Sequence, residues 1–327
     1  MPSGHGGQGS VHRQDLPRPL IPPSVESAAE RRSSGGVRFR RVAILGPGLL
    51  GGSILLALRE RGIAEATALW ARREEAVREA RERGIADTCT PSLEEAVRGS
   101  DLVILCTPIG VMADLAARFG PFLEPAALVT DVGSVKAPVV QELNRALKGS
   151  NGTFLGSHPM AGSEQAGLDA ARADLFEGAV CILTPETATP QAAIDRLTAF
   201  WSALGGLVRS LDPATHDRVI ARASHLPHLV ASALVNLVCG TSPDPLQFCG
   251  NGFRDTTRVA SGPAALWREI LAFNRGEVGE AIEGMISQLQ TARALLQTPD
   301  DGRLEAFLAA AKTQRDRIGQ GRGHGGV

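Results

Sequence analysis

Between residue 41 and about residue 156, short apolar runs alternate with longer stretches whose apolar residues recur every three or four positions. The longer stretches have helical spacing, and the short runs are continuous, as in strands that are covered on both faces. This alternation predicts βαβ units and a parallel sheet. The predicted strands are Val42–Leu45, Ala66–Trp70, Leu102–Cys106 and Ala127–Thr130, and the predicted helices are Leu49–Arg61, Arg73–Arg83, Val111–Phe119 and Val135–Leu147.

The pattern changes at Asp212. Before it we predict two more strands and a helix, at Phe154–Ser157, Ala179–Leu183 and Pro190–Leu204. Beyond it every periodic stretch is helical and no strand pattern occurs, at 213–240, 263–297 and 303–317. Long helices need a partner surface, so we expect a helical second domain that forms a homodimer. The predicted fold is an α/β domain at 40–211 followed by an all-helical dimerisation domain at 212–318.

Both ends of the chain differ from the rest. Residues 1–39 are rich in Gly, Ser, Pro and Arg and contain no apolar segment of the kind found in secretory signals. A transit peptide is one interpretation of this segment; a disordered extension or a misplaced start codon is the one we favour. Residues 319–327 are predicted to be a disordered tail.

Charge and cysteine content exclude several classes of protein. The net charge of −1 over 327 residues argues against a nucleic-acid binder, which usually carries a basic excess. Five cysteines without a C-x-x-C pair indicate neither a disulfide framework nor a zinc site, and a cytoplasmic location fits best. No apolar run has the roughly 20 residues that a membrane span needs.

A glycine motif follows the first predicted strand directly. Gly46, Gly48 and Gly51 form G-x-G-x-x-G at the start of a predicted helix, which is the context that dinucleotide binding requires. The glycines allow a tight turn, close approach of a pyrophosphate, and close helix–strand packing. The N-terminus of the helix, at Leu49 and Leu50, adds its positive dipole end. The motif therefore predicts a Rossmann domain that binds NAD or NADP.

The end of the second strand bears on the choice of cofactor. NAD enzymes usually place Asp or Glu there, about 20 residues after the glycines, to bind the ribose 2′-hydroxyl. Here Ala71 is followed by Arg72 and Arg73. Guanidinium groups pair well with phosphate, so we favour NADP over NAD, although the arginines could simply begin a solvated helix.

The end of the third predicted strand leads into Thr107 and Pro108, at the sheet edge where the nicotinamide ribose would lie. Cys106 precedes them. A lone strand cysteine without a paired histidine is more often a packing residue than a nucleophile. We place Cys106, Thr107 and Pro108 among the cofactor contacts.

Polar residues in three further segments suggest catalysis. Ser134, in DVGSVK, could be simply a helix cap. His158, in GSHPMAGSE, stands on a loop beside proline and suits a general base. His225 and His228, in SHLPH, share a helix face; with no further ligand cluster we reject a metal site, and for His225 a buried structural role is about equally plausible. Two arginines of GNGFRDTTR, Arg254 and Arg258, could clamp carboxylates, although one of them could instead pair with Asp255.

Taken together, the motifs GPGLLGGS, DVGSVK, GSHPMAGSE, SHLPH and FRDTTRVA make the chain similar to the prephenate/arogenate dehydrogenase family of tyrosine biosynthesis, over about residues 40–315. The resemblance implies a Rossmann domain, a helical dimer domain, and oxidation of the ring C4 hydroxyl of prephenate or arogenate with loss of CO2. It implies hydride transfer to NAD(P) and no metal.

The resemblance also implies roles for individual residues. His158 would accept a hydrogen bond from the ring hydroxyl, and Ser134 would position both beside the nicotinamide. Arg258 would bind a substrate carboxylate. The remaining pocket residues that it implies are Thr257, His228, His225 and Glu164.

Two features bear on which cofactor and which domains this chain would have among the members of that family. The missing acid at the end of the second strand puts NAD use in doubt, and nothing beyond Ile318 is long enough for the regulatory ACT domain of some members. A β-hydroxyacid or 6-phosphogluconate type dehydrogenase is the alternative enzyme, but its catalytic lysine is missing from 213–240. A redox sensor that binds NADP without turnover would have no reason to carry His158, Ser134 and Arg258.

Overall fold

The computed structural model describes residues 38–162, 165, 167–240, 245–297 and 302–320. Most of the predicted disordered extension and tail lies outside these residues. Where they overlap the described part, both boundaries were wrong. Phe39 already begins the first strand, and the last helix continues to Gln320.

Six parallel strands form the main sheet, in the order β3-β2-β1-β4-β5-β6. The four predicted strands of this sheet are present. The short edge strand β3 was missed, because three residues are too few to give a periodic pattern. The strands are β1 (Phe39–Leu45), β2 (Ala64–Trp70), β3 (Thr88–Thr90), β4 (Leu102–Leu105), β5 (Leu128–Asp131) and β6 (Thr153–Phe154).

Helices cover both faces of this sheet, and each face has its own buried apolar cluster. The four predicted helices are present with ends that differ by up to two residues. The five-residue α3, which the side chain of Ser92 caps, was missed. The helices are α1 (Leu49–Arg61), α2 (Glu74–Glu82), α3 (Leu93–Val97), α4 (Ile109–Phe119) and α5 (Ala137–Ala146).

The predicted strand at 154–157 is two strands in two different sheets. β6 ends the main sheet at Phe154, and β7 (Gly156–Pro159) begins a three-stranded sheet of order β7-β8-β9. Gly156 permits the change of sheet, because a Cβ there would lie 2.5 Å from Oγ1 of Thr184 on β8. The other elements of this part are β8 (Val180–Thr184), α6 (Gln191–Ala203) and β9 (Leu207–Ser210), of which β9 was missed.

From residue 213 onward every regular element in the described part is helical, as predicted. The stretch 213–240 is not one helix, because a π-helical turn at Ala221–His225 interrupts it. Pro227 has no N–H with which to continue the α-helical bonding to residue 223. The predicted helical stretch 263–297 is also two helices, which meet at Asn274. The helices are α7 (Pro213–Ile220), α8 (Leu226–Cys239), α9 (Asn251–Thr257), α10 (Ala264–Phe273), α11 (Arg275–Gln297) and α12 (Arg303–Gln320).

Helices α7 and α10 bring the helical region onto the α/β region, where they contact α5 and α4 respectively. Both contacted helices begin just after the carboxyl ends of strands β5 and β4. The two regions therefore meet at the sheet edge where open α/β sheets bind ligands. Within the described residues, no helix is both long and apolar enough to cross a membrane.

Candidate active site

The glycine loop between β1 and α1 is shaped by steric limits. Gly46 has φ +123°, and a Cβ there would lie 2.7 Å from the carbonyl oxygen of Cys106. A Cβ on Gly51 would lie 2.1 Å from the carbonyl oxygen of Gly46. A Cβ on Gly48 would meet nothing within 4 Å. Only glycine fits at the first and third positions, and open space is left above the second.

These observations fit a nucleotide pyrophosphate. Gly48 precedes α1 without a side-chain cap, so the first N–H groups of the helix, beginning with Leu49 and Leu50, have no competing acceptor from a capping side chain. A helix N-terminus of this kind attracts phosphate through its N–H groups and its dipole. The residues present therefore suit the pyrophosphate of a dinucleotide.

The other predicted cofactor residues follow the neighbouring strands. Leu45 on β1 pairs with Trp70 on β2, so Ala71 and the exposed Arg72 and Arg73 lie at the same sheet edge as the glycine loop. No carboxylate occupies positions 71–73.

Beyond β4, the backbone of Cys106 contacts the glycine loop. Burial, and secondarily Asp131, raises the pKa of the Cys106 thiol, which favours the protonated form of a packing residue. The hydroxyl of Thr107 is buried without a hydrogen-bond partner among the described residues. Pro108 follows it directly and precedes α4.

A cleft of about 500 Å³ lies beside this edge, with walls from both regions of the chain. It brings together four of the predicted catalytic and substrate residues, with Leu50 of the glycine loop as a neighbour. Three others are not in its lining: His228, Thr257, whose hydroxyl bonds to the carbonyl of Phe253 at 2.7 Å, and Glu164, which lies outside the described residues. The four are Ser134, His158, His225 and Arg258.

A hydrogen-bonded chain runs behind His158. Nδ1 of His158 lies 2.9 Å from Nε2 of His216, and Nδ1 of His216 lies 2.8 Å from Oδ1 of Asp217. The Asp217 side chain also accepts from the backbone N–H groups of Lys136 at 2.7 Å and Ala137 at 2.8 Å. It thus caps α5, the role considered for Ser134, which leaves the Ser134 hydroxyl for the cleft.

This chain assigns the tautomers of the two rings. A carboxylate only accepts, so His216 donates from Nδ1 and its Nε2 must accept. His158 therefore donates from Nδ1, and its Nε2 is the acceptor left for the cleft. Burial, reinforced by the nearby His216, Lys136 and His225, holds the pKa of His158 well below its usual range. The ring is therefore a neutral acceptor at neutral pH.

His225 presents a hydrogen-bond donor to the cleft, whereas His158 presents an acceptor. Nδ2 of Asn274 lies 3.2 Å from Nδ1 of His225 and donates to the backbone carbonyl of Asp217 at 2.9 Å. Nδ1 of His225 therefore accepts, and Nε2 carries the proton. That Nε2 is buried without a partner in the described residues. Burial lowers the pKa of His225 to about 4, so the ring is a neutral donor at the cleft.

The π-helical turn lets His216 and His225 share this network. Nine positions along a regular α-helix would place them about 180° apart around the axis. One extra residue in the wide turn reduces the separation to about 80°. The turn therefore aligns two histidines whose sequence spacing predicts opposite faces.

A fully buried ion pair supports the strand of His158. Lys136 bonds to the carboxylate of Asp131 and donates to the carbonyl of Ser157 at 2.8 Å. Asp131 in turn accepts from the N–H groups of Gly133 at 2.8 Å and Ser157 at 3.3 Å. Both backbone groups of the residue before His158 are therefore held from β5 and the DVGSVK turn.

His228 lies beside the cleft and stacks on Trp267, which does line it, with ring centroids 3.6 Å apart. A Cβ on Gly262 would lie 2.5 Å from Nε1 of Trp267, so glycine there allows the indole its position. His228 therefore contacts a residue of the cleft wall and not the cleft itself. Among the described residues, no group of three or more His, Cys, Asp or Glu side chains could hold a metal ion.

Four residues that shape this site were not predicted from the sequence: His216, Asp217, Asn274 and Trp267. The adjacent His216 and Asp217, at the start of the first helical stretch of the second region, were the available signal. Asn274 and Trp267 give no such signal, because their roles depend on contacts with residues far away in the sequence.

The chain resembles known proteins along almost all of its described length. Its residues 54–210 match the family model of the prephenate dehydrogenase nucleotide-binding domain, and residues 212–310 match that of the prephenate dehydrogenase dimerization domain. The chain belongs to the prephenate dehydrogenase family. A relative, the cyclohexadienyl dehydrogenase of Zymomonas mobilis, is 34% identical over 84% of this chain and 95% of its own length.

Solved structures of this family have the same fold. The prephenate dehydrogenase from Aquifex aeolicus, in complex with hydroxyphenyl propionate and NAD+, has a TM-score of 0.80 and 33% identity, over 85% of this chain and 98% of that one. Synechocystis arogenate dehydrogenase has a TM-score of 0.74 and 28% identity, over 85% and 99%. The predicted family, the fold class and the class of enzyme, a dehydrogenase that uses a nicotinamide dinucleotide, are confirmed.

Proposed function

We propose that this member of the prephenate dehydrogenase family oxidises the ring C4 hydroxyl of prephenate, arogenate or both, with loss of the ring carboxylate as CO2. The observation that carries the proposal is the chain Asp217–His216–His158, which leaves a neutral acceptor at the cleft. Bound nicotinamide would accept the hydride from C4. Aromatisation of the ring drives the reaction, so the protein has to supply orientation and one proton acceptor.

Nε2 of His158 accepts the hydrogen bond from the ring hydroxyl. That hydroxyl becomes more acidic as the hydride leaves, so the bond strengthens towards the transition state. A proton taken up at Nε2 would place positive charge next to the His216–Asp217 pair, where the carboxylate stabilises it. The hydroxyl of Ser134, which lines the same cleft, positions the ring hydroxyl and His158.

Two groups of the cleft suit the anionic parts of the substrate. Arg258 pairs with a carboxylate in bidentate fashion, which also orients the ring. The Nε2–H group of His225 donates a hydrogen bond to a second oxygen, either of a carboxylate or of the side-chain keto group. His228 stacks on Trp267 of this wall. Thr257 and Glu164, the latter outside the described residues, are further proposed substrate contacts.

For the cofactor, Gly46, Gly48 and Gly51 hold the pyrophosphate at the start of α1, and the backbone of residues 106–108 borders the nicotinamide half. We propose that NADP is preferred over NAD. The support is the exposed pair Arg72 and Arg73 at the end of β2, where no acid is present to bind a ribose 2′-hydroxyl.

We further propose that two chains associate through the helical region. An apolar stripe on α11 is exposed, with Leu289 62% and Leu296 71% accessible. Its members recur at helical spacing and face a single direction, which favours packing against another helix. The stripe consists of Ile282, Ile286, Leu289 and Leu296. Sedimentation equilibrium should give twice the mass of 34.3 kDa.

Steady-state assays that cross prephenate and arogenate with NAD and NADP test the function and the cofactor preference together. We expect turnover of at least one substrate and a higher kcat/KM with NADP. Absence of turnover in all four combinations by a folded protein that binds cofactor would overturn the function. A higher kcat/KM with NAD would overturn only the cofactor preference.

A further inference from the structure

A carboxylate of the helical region caps a helix of the α/β region. Glu269, on α10, accepts from the backbone N–H of Ile109 at 3.2 Å and from that of Gly110 at 2.7 Å. These N–H groups belong to the first turn of α4, some 160 positions away. The contact joins the two regions of the chain beside the cleft.

Helix α4 has no capping group of its own. It begins after Pro108, which offers no side-chain cap. The first N–H groups of a helix need acceptors, and the positive end of the helix dipole favours an anion there. Glu269 meets both needs with one oxygen for each N–H group. Gly110 leaves room for it, since a Cβ there would lie 2.9 Å from Oε1 of Glu269.

Neighbours of Glu269 on the same two turns of α10 form a wall of the cleft. Leu266, Trp267 and Ile270 all line it. The other end of the contact follows directly on Thr107, whose backbone nitrogen borders the glycine loop, and Pro108. The cap therefore ties the position of the cleft wall to the strand end beside the cofactor site.

We propose that Glu269 is a positioning residue, whose cap on α4 sets α10 at the distance and angle from the β4 edge that substrate binding requires. This inference rests on the proposed function for its effect on turnover, but not for the contact itself. Apolar contacts also hold α10, because Ile270 is buried in the cluster that contains Ile109 and Met112. Loss of the cap should therefore shift the helix without unfolding the protein.

Three variants of the full chain test the cap from both sides. Glu269→Ala removes the carboxylate, Gly110→Ala pushes it away, and the double variant combines the two. We expect each single variant to raise KM for the cyclohexadiene substrate about tenfold, with the Kd of the cofactor within about twofold of wild type. In the double variant the added methyl group no longer meets a carboxylate, so the effects should not add. Glu269→Gln keeps one acceptor and should recover part of the loss.

Hydrogen–deuterium exchange of the segment 106–112 gives a readout that does not depend on activity. We expect faster exchange of the Ile109 and Gly110 amides in Glu269→Ala, and no change in Glu60→Ala, which removes an exposed carboxylate from α1. Wild-type exchange in Glu269→Ala, unchanged KM in both single variants, or fully additive effects would overturn the proposal. Absence of turnover in the wild type would overturn the proposed function instead, and exchange alone would then decide the role of Glu269.

Discussion

The cofactor end and the substrate end of this site are built in different ways. At the cofactor end, the decisive groups are backbone atoms of one six-residue motif. Its conformation requires glycine at Gly46 and Gly51, because a Cβ at either position would clash with a backbone carbonyl oxygen. At the substrate end, side chains from β7, the turn after β5, α10 and the π-helical turn line one cleft. His158 and His225 among them are oriented by His216 and Asn274. A local backbone motif suits a ligand shared by many enzymes. A network of distant side chains suits a particular proton acceptor and a particular ring.

The largest effect is expected at His158, where a substitution should impair the substrate end and leave the cofactor end intact. Replacing His158 with Ala removes the acceptor but touches nothing in the glycine loop. We expect kcat to fall by about 10²-fold or more while the cofactor still binds. Stopped-flow turnover and quenching of tryptophan fluorescence by the reduced cofactor would measure the two effects. Near-normal turnover would mean that the substrate end does not depend on this imidazole.

A substitution at Gly51 should impair the cofactor end in the same selective manner. A methyl group 2.1 Å from the Gly46 carbonyl cannot be accommodated without moving the loop, which costs about 1–3 kcal/mol. We expect Gly51→Ala to lower both the melting temperature and cofactor affinity. Gly48→Ala is the matched control, because nothing lies within 4 Å of its added methyl group and only cofactor affinity should fall. Equal melting temperatures for the two variants would contradict this account.

Acid should weaken the substrate end through its buried neutral histidines. The pKa of His225 is about 4 in the folded protein and about 6.5 when unfolded, so the unfolded chain binds the proton more readily. Stability is therefore present above pH 6.5 and is lost as the pH falls towards 4. His225 alone should contribute about 2 kcal/mol of this loss between pH 8 and pH 5.

Urea unfolding of wild type and His225→Gln at those two pH values would measure the contribution. The variant should lose less stability on acidification, because glutamine does not titrate. Parallel losses in the two proteins would show that His225 is not the group responsible.

The smallest effect is expected at the edge of the cofactor end. Arg72 and Arg73 are exposed, so solvent weakens any contact they make with a 2′-phosphate. We expect Arg72→Ala to lower kcat/KM for NADP a few-fold and to leave kcat/KM for NAD unchanged. Arg78→Ala, which removes an exposed arginine from α2, should alter neither. An equal loss for both cofactors would show that Arg72 does not recognise the phosphate.

Sequence patterns predicted the long elements well and the short ones poorly. β1, β2, β4 and β5 were recognised because buried strands of four or more residues read as continuous apolar runs. β3 and α3 are too short for a period, and the division of 154–157 between two sheets depends on the approach of β8 to Gly156. The π-helical turn has a local cause in Pro227. Its effect on the site, however, depends on tertiary contacts, because it brings His225 into the same hydrogen-bonded network as His216.

By itself, the sequence determined the parallel sheet, the helical second region, the glycine loop and the family, because each depends on residues close together along the chain or on motifs in a specific order. Only the tertiary structure decided which nitrogen of each histidine is the acceptor, that Asp217 rather than Ser134 caps α5, and that Glu269 joins α10 to α4. Apart from the bond between the adjacent residues His216 and Asp217, these depend on hydrogen bonds between residues that are tens to more than a hundred positions apart. Folding alone brings such groups within bonding distance, and burial then makes their pairing matter.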